Sequence, residues 1–249
     1  MAKVEFEVRN RVAYITLNRP EQLNAIDLEM RGLLYEAWQE VKFNPDIWMA
    51  VVTGTGRSFS TGHDLKEQGF GRVDRTEDLY LDQRNVFKPI VAAINGICLA
   101  QACGIMFLSD IRIASERAQI GWPQVKRGIS SVSGPTLLAH AVPLNIALEV
   151  ILTGDFIDAQ RALQLGIVNK VVPHEQLMPE TEALVAKLMD NAPLAMRALK
   201  EAAVRGQNLA LPERIRMANL ISRGISGSAD SKEGIQAFIE KRAPVWQGR

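Results

Sequence analysis

Residues Pro89 to Gly128 read P-I-V-A-A-I-N-G-I-C-L-A-Q-A-C-G-I-M-F-L-S-D-I-R-I-A-S-E-R-A-Q-I-G-W-P-Q-V-K-R-G. The apolar run Ile90 to Ile94 has the length of a fully buried strand and is broken by Asn95-Gly96. Small residues follow where a turn would feed a helix: Ala100, Ala102, Cys103 and Gly104. Ile105 to Leu108 continue that helix until Asp110, and Ile111 and Ile113 alternate with Arg112 in a second predicted strand. The first N–H groups of a helix have no intrahelical partner and carry the positive end of its dipole. Small side chains there let a ligand oxygen approach closely. The segment therefore reads either as a place to hold negative charge or as close helix–strand packing.

A second stretch selects between these readings. Ser58-Phe59-Ser60-Thr61-Gly62-His63-Asp64-Leu65-Lys66-Glu67 follows a predicted buried strand, Trp48 to Thr53, and a Gly54-Thr55-Gly56 turn. Farther on come the Asn95-Gly96 strand end, Ser109-Asp110-Ile111-Arg112-Ile113-Ala114-Ser115 and Trp122-Pro123-Gln124 with Gly128. The pattern continues through Leu152-Thr153-Gly154, Asp158-Ala159 and Ala162 to Asn169, and ends with Glu233 to Arg242. In this order and spacing the chain resembles the crotonase (enoyl-CoA hydratase/isomerase) superfamily over nearly its whole length. The resemblance implies an α/β fold, a crotonase-like spiral of ββα units with a C-terminal all-helical module. It divides the chain into a spiral core, residues 1–192, carrying an acyl-CoA site, and a helical oligomerisation module, residues 193–249. It also implies a homotrimer or a dimer of trimers.

Composition excludes other classes. A chain of 249 residues can bury roughly three quarters of its unfolded surface, enough for one core and a smaller appended unit. Charge is nearly balanced at +1 with no basic or acidic block, so neither nucleic acid nor a membrane surface is an expected partner. No run approaches membrane-spanning length, and Met1-Ala2-Lys3-Val4-Glu5 lacks the apolar segment of a signal peptide, so a cytoplasmic protein is expected. Cys98 and Cys103 sit in apolar surroundings and match no zinc or redox spacing; reduced buried thiols are expected, with no metal.

Elsewhere the pattern predicts a hairpin over residues 3–17 turning at Asn10-Arg11 and stopped by Arg19-Pro20. Asp27 is the expected N-cap of a helix that presents Leu33, Leu34, Ala37, Trp38 and Val41 and stops at Asn44-Pro45. Gly69 to Asp78 reads as a mobile loop beside the site, and Thr76 as the cap of a helix reaching Phe87. Helices are expected around 137–141, over 143–153, and between Asp158 and Gly166, then a final strand at Val168 to Val172. From Glu175 onward everything reads as helical: 175–190, 194–205, 211–226 and 231–242.

The resemblance also implies a chemistry: stabilisation of an enolate-like oxyanion on a coenzyme A thioester by two backbone N–H groups. By position these are the amides of His63 and Gln101, where the family usually has Gly or Ala. One such preorganised donor is worth roughly 2.7–4 kcal/mol of transition-state stabilisation. Coenzyme A is then a substrate carrier, and no permanently bound cofactor is implied. For its binding the resemblance points to His63, Asp64, Leu65 and Lys66, with Lys66 near the phosphates, and to Lys241, reaching in from a neighbouring subunit.

The two glutamates of true hydratases fall at Gly104 and Gln124, and a third acidic position of some relatives at Val132. Hydration needs a carboxylate to activate water and a second group to deliver the proton. Gly104 supplies neither, and the Gln124 amide can position water but not take its proton. Decarboxylation, isomerisation or thioester hydrolysis, as a lyase or isomerase of acyl-CoA metabolism, is therefore favoured over plain hydration. The alternative is a non-catalytic acyl-CoA-binding or assembly subunit. The His63 ring is either an acid, base or polar anchor, or mere packing around an amide. Ser131, at a decarboxylase relative's tyrosine position, stands with Ser130 and Ser133 as substrate ligands or as turn and cap residues. Asp64 reads as a structural support of its loop and Glu67 as a remote candidate base.

Overall fold

The structure is a computed structural model describing residues 2–66 and 76–249. Glu67, and the predicted loop from Gly69 up to residue 75, lie outside the described residues. Strands β1 (Val4–Arg9) and β2 (Val12–Leu17) form the expected antiparallel hairpin, with Asn10 and Arg11 at positive φ (49° and 65°), the hand that a tight hairpin turn needs. Helix α1 (Leu28–Phe43) starts at Asp27, whose carboxylate accepts from the Met30 N–H at 2.9 Å, and stops at Asn44. The chain continues through β3 (Met49–Gly54), β4 (Ser58–Ser60), α2 (Thr76–Arg84), β5 (Ile90–Ile94), β6 (Ile97–Leu99), α3 (Gln101–Phe107), β7 (Ile111–Ser115) and β8 (Gln119–Gly121). Then come α4 (Ala139–Ala141), α5 (Leu144–Thr153), β9 (Phe156–Asp158), α6 (Ala159–Gln164), β10 (Lys170–Val172), α7 (Leu177–Met189), α8 (Pro193–Gly206), α9 (Leu211–Ile225) and α10 (Ala229–Glu240).

One sheet runs β1-β2-β3-β5-β7-β10, parallel except for the first pair. Its central strands are apolar without interruption because both faces are covered. Ile90, Ala92 and Ile94 of β5 enter the main core with Trp38, Phe59 and Trp122, whereas Val91 points to the opposite face with Met49, Val51 and Val185 of α7. A second sheet, β4-β6-β8-β9, was not expected from the sequence. Its strands have three residues each, too few for a period-two pattern, and Ile97 to Leu99 lies where a turn into the helix was expected.

Other boundaries differ too. Helix α2 ends at Arg84 rather than Phe87, and β10 begins at Lys170, Ile167 and Val168 instead donating to the Ala162 carbonyl. The helix expected at 137–141 opens as a π-helical turn at Gly134–Leu138 before α4, and Pro143 caps α5 from outside rather than occupying its first turn. The last nine residues, 241–249, are not helical. They fold back on the buried Asp230 carboxylate, which accepts from the N–H groups of Gln247 (2.7 Å) and Gly248 (2.9 Å), while the Trp246 indole donates to the Asp190 carbonyl.

Two contacts tie the helices to the core. Lys200 of α8 meets Asp110 at 2.7 Å and also donates to the Lys88 carbonyl. Burial pushes the Asp110 carboxyl up and the Lys200 ammonium down, and their mutual attraction opposes both. Helix α2 crosses α3 at Gly104, where a Cβ would overlap the ring and phenolic oxygen of Tyr80. The Tyr80 hydroxyl donates to the Gln101 carbonyl at 3.1 Å, and the Gln83 amide donates to the Ile105 carbonyl at 2.9 Å.

Lys200→Met removes the cation in contact with Asp110, leaving Arg112 and the Ile90 N–H as its remaining support, and urea denaturation should show a loss of about 2–4 kcal/mol. Gly104→Ala should cost about 1–3 kcal/mol by overpacking. Combined with Tyr80→Ala, the pair should be less destabilised than the sum of the single variants by about 1 kcal/mol or more in the same titration.

Candidate active site

The site follows from strand direction. Strands β4 and β6 are parallel with Ser60 opposite Cys98, and β6 and β8 are parallel with Leu99 opposite Gly121. Three chain segments therefore leave the sheet side by side, at the carboxyl ends where ligands collect in parallel sheets. They are Thr61 to Lys66, Ala100 and Gln101, and Trp122 to Gln124.

Gly62 makes the first two converge. Its φ is +82°, and a Cβ on it would stand 2.8 Å from both the Gln101 nitrogen and the Leu99 oxygen. Only glycine combines that dihedral with so close an approach. The Gly62 N–H donates to the Ser60 hydroxyl, which donates in turn to the Asn24 carbonyl. Gly62 and Asp64 bracket His63 by pairing with Ile26, whose N–H donates to the Gly62 carbonyl (2.7 Å) and whose carbonyl accepts from Asp64 (3.0 Å). Gln101 opens α3 behind Ala100, a non-glycine residue at φ 57° and ψ −115°. Such a conformation costs of order 1–3 kcal/mol and persists only where its surroundings impose it.

His63, Asp64, Leu65, Lys66, Gln101, Gln124 and Ser131 all line one cleft of about 660 Å³. Lys241 does not: it sits at the C-cap of α10, at φ 56°, and is exposed. The Asp64 carboxylate is held by Arg19 at 3.1 Å and accepts from the Lys66 N–H at 3.0 Å. Arg19 bridges onward to Asp27 at 3.1 Å and to the Ala25 carbonyl at 2.6 Å, so Asp64 anchors the loop. Burial opposes ionisation of Asp27, yet Lys3, the Met30 N–H and Arg19 together hold its carboxyl below the usual range.

The His63 ring meets Arg31, with Nη2 and Nδ1 3.3 Å apart. A guanidinium only donates, so this contact uses the Nδ1 lone pair and places the proton of the neutral ring on Nε2. Ser131 accepts from the Gly134 N–H at 3.2 Å, and Ser133 lies between Trp122 and the Ala100 carbonyl, 2.9 Å from each. These bonds tie both hydroxyls to the turn, while Ser130 and Val132 are exposed on the cleft wall. The Gln124 Oε1 atom is buried and, among the described residues, accepts no hydrogen bond.

Sequence reasoning missed Tyr80, which lines the cleft from α2 and fills the space beside Gly104. The glycine was a signal that something large stands opposite, but the partner lies on another helix. It also missed Arg57 and Arg127, which bring positive charge to the same cleft. Cys98 of β6 and Cys103 of α3 are free and buried with their sulfurs 3.9 Å apart, and burial pushes the Cys98 thiol up. No helix among the described residues is long and apolar enough to cross a membrane.

Known proteins resemble this chain over nearly its whole length. Residues 7–249 match the family described as "Enoyl-CoA hydratase/isomerase". The (E)-benzylidenesuccinyl-CoA hydratase of Thauera aromatica is 38% identical, with 98% of this chain and 99% of that protein aligned. The 2,3-dehydroadipyl-CoA hydratase of Escherichia coli is 31% identical with all of both chains aligned. An enoyl-CoA hydratase/isomerase from Mycobacterium paratuberculosis has a similar crystal structure, with a TM-score of 0.92 at 33% identity over 100% of this chain and 99% of that one. A probable enoyl-CoA hydratase/isomerase from Mycobacterium abscessus also gives 0.92, at 35% identity over all of both chains. The chain belongs to the enoyl-CoA hydratase/isomerase family and is an acyl-CoA enzyme with the crotonase fold.

Proposed function

We propose that the cleft binds the thioester carbonyl between the backbone amides of His63 and Gln101 and stabilises the enolate formed there. The observation that carries this reading is the close approach of Gly62 to the Gln101 nitrogen, which sets the chain leading into His63 beside the start of α3 at the wall of the cleft. Donors fixed before the reaction stabilise charge as it develops, without reorganisation. Lys66, Arg57 and Arg127 supply cations for the phosphates of coenzyme A.

The hydratase carboxylate at position 104 is replaced by a glycine under Tyr80, and that at 124 by a neutral amide. Paired-glutamate hydration is therefore disfavoured, and decarboxylation, isomerisation or thioester hydrolysis fits better. Decarboxylation needs an electron sink and an oriented carboxylate, and no base to begin. His63, with Nδ1 engaged by Arg31, acts as an Nε2–H donor rather than a base.

Hydration is the second reading, favoured by the names of the two hydratase relatives. Both names denote thioesters of dicarboxylic acids, and the free carboxylate of such a substrate can act as base where positions 104 and 124 offer none. Gln124 Oε1 would then orient the water.

We further propose that residues 193–249 form an oligomerisation module on the core of residues 1–192, in a homotrimer or dimer of trimers, with Lys241 serving a neighbouring cleft. Phe238, Ile239 and Ile235 on α10 are 84%, 66% and 63% exposed in the single chain, an apolar face that a neighbour would cover.

A panel of crotonyl-, malonyl-, methylmalonyl-, benzylidenesuccinyl- and 2,3-dehydroadipyl-CoA, followed by enoyl absorbance and by mass, tests these readings. Turnover of malonyl- or methylmalonyl-CoA, without crotonyl-CoA hydration at ordinary rates, is expected. Ordinary crotonyl-CoA hydration contradicts the reading of Gly104 and Gln124, and binding of every thioester without turnover indicates a non-catalytic subunit. His63→Ala should lower turnover less than about tenfold, against the 10²–10⁴ of an acid–base residue.

A further inference from the structure

The Ala100 carbonyl and the Gln101 N–H are the two ends of one peptide unit, so fixing one end fixes the other. That carbonyl accepts from the Ser133 hydroxyl at 2.9 Å and from the Cys103 N–H at 3.1 Å. The Ser133 hydroxyl accepts in turn from the Trp122 indole N–H, also at 2.9 Å. Ser133 and Trp122 are each 1% exposed, so water does not compete for this chain of donors. On the other side, the Ala100 N–H donates to the Gly121 carbonyl at 2.9 Å.

The arrangement answers a strain. With φ 57° and ψ −115°, Ala100 occupies a conformation that alanine rarely adopts. Turning the Ala100–Gln101 peptide over by about half a turn would carry Ala100 toward the ordinary left-handed region and point the Gln101 N–H away from its present direction. It would also withdraw the Ala100 carbonyl from Ser133 and from Cys103. Consecutive hydrogen bonds polarise one another, so a carbonyl that accepts two of them makes its own peptide N–H a stronger donor.

The geometry points to Trp122 and Ser133 as positioning residues for the Gln101 amide: the indole orients the serine hydroxyl, and the hydroxyl holds and polarises the peptide that binds the thioester oxygen. This deepens, and rests on, the reading of that amide as half of the oxyanion hole. It gives the buried serine a role that neither a nucleophile nor a substrate ligand would have.

The test uses the full chain and [1-13C]butyryl-CoA, a saturated thioester that cannot be hydrated. Calorimetry gives its affinity, and isotope-edited infrared spectroscopy gives the lowering of its carbonyl stretch on binding. In the parent protein a lowered stretch is expected. Ser133→Ala should bind within about threefold of the parent, lose part of the lowering, and reduce kcat on the acyl-CoA turned over by about tenfold with little change in KM. That is less than the 10²–10³ expected for deleting an oxyanion donor outright. Trp122→Phe should act in the same direction more weakly, and the double variant should match Ser133→Ala, because the indole acts through the hydroxyl.

A lowered stretch in the parent that both variants keep unchanged overturns the inference and leaves the oxyanion hole standing. Binding to the parent with no lowering overturns the hole itself, and the inference falls with it. Circular dichroism confirms that each variant is folded. Should Ser133→Ala not fold, Trp122→Phe alone decides, since it keeps the hydroxyl and removes the indole N–H that donates to it.

Discussion

Three strands of three residues each, β4, β6 and β8, run parallel and release the chain at the same edge. Because parallel pairing fixes the register, the segment leaving each strand must emerge beside its neighbours. The loop bearing His63, the turn into α3 and the segment ending at Gln124 thus share a cleft although His63 and Gln124 are 61 positions apart in sequence. The large sheet behind them supplies rigidity, since both of its faces are packed and its strands cannot slip without exposing one core or the other.

Under the mechanism proposed above the main chain does the chemistry, and side chains support it. Asp64 serves Arg19, Ser60 serves Gly62, and Tyr80 serves the first turn of α3. This division explains how His63 and Gln101 can stand where relatives of the superfamily usually have the smallest residues. A backbone donor does not depend on the side chain attached to it, provided the dihedrals survive. What changes the reaction is the set of proton-handling groups around the donors. Here the familiar carboxylate positions hold a glycine covered by a phenol and an amide whose buried oxygen accepts no hydrogen bond among the described residues.

The doubly buried strands were readable because they are continuous apolar runs, as at Ile90 to Ile94, and the hairpin because Asn10-Arg11 interrupts clean alternation. Asp27 and Asp158 announced their helices through cap chemistry that is local in sequence. The second sheet was not readable: three residues carry no period, and its strands exist only through partners about 20 to 40 positions away. The same limit hid Tyr80, whose meaning lies in the missing side chain at Gly104, and the Trp122–Ser133–Ala100 chain. The serine cluster was legible as turn chemistry, but which carbonyl Ser133 serves depends on how the turn folds over α3. Lys241 was placed by resemblance, and in the single chain it stands apart from the cleft.

The dihedral at Ala100 sets a conflict between endurance and work. Stabilising a protein commonly means relieving its least comfortable backbone angles, and such gains recurrently lower activity where a strained site is part of the mechanism. In this chain the uncomfortable residue directly precedes the amide proposed to hold the thioester oxygen. A variant selected only for heat resistance would therefore drift toward relaxing this turn, becoming a sturdier molecule with a blunter grip on its substrate.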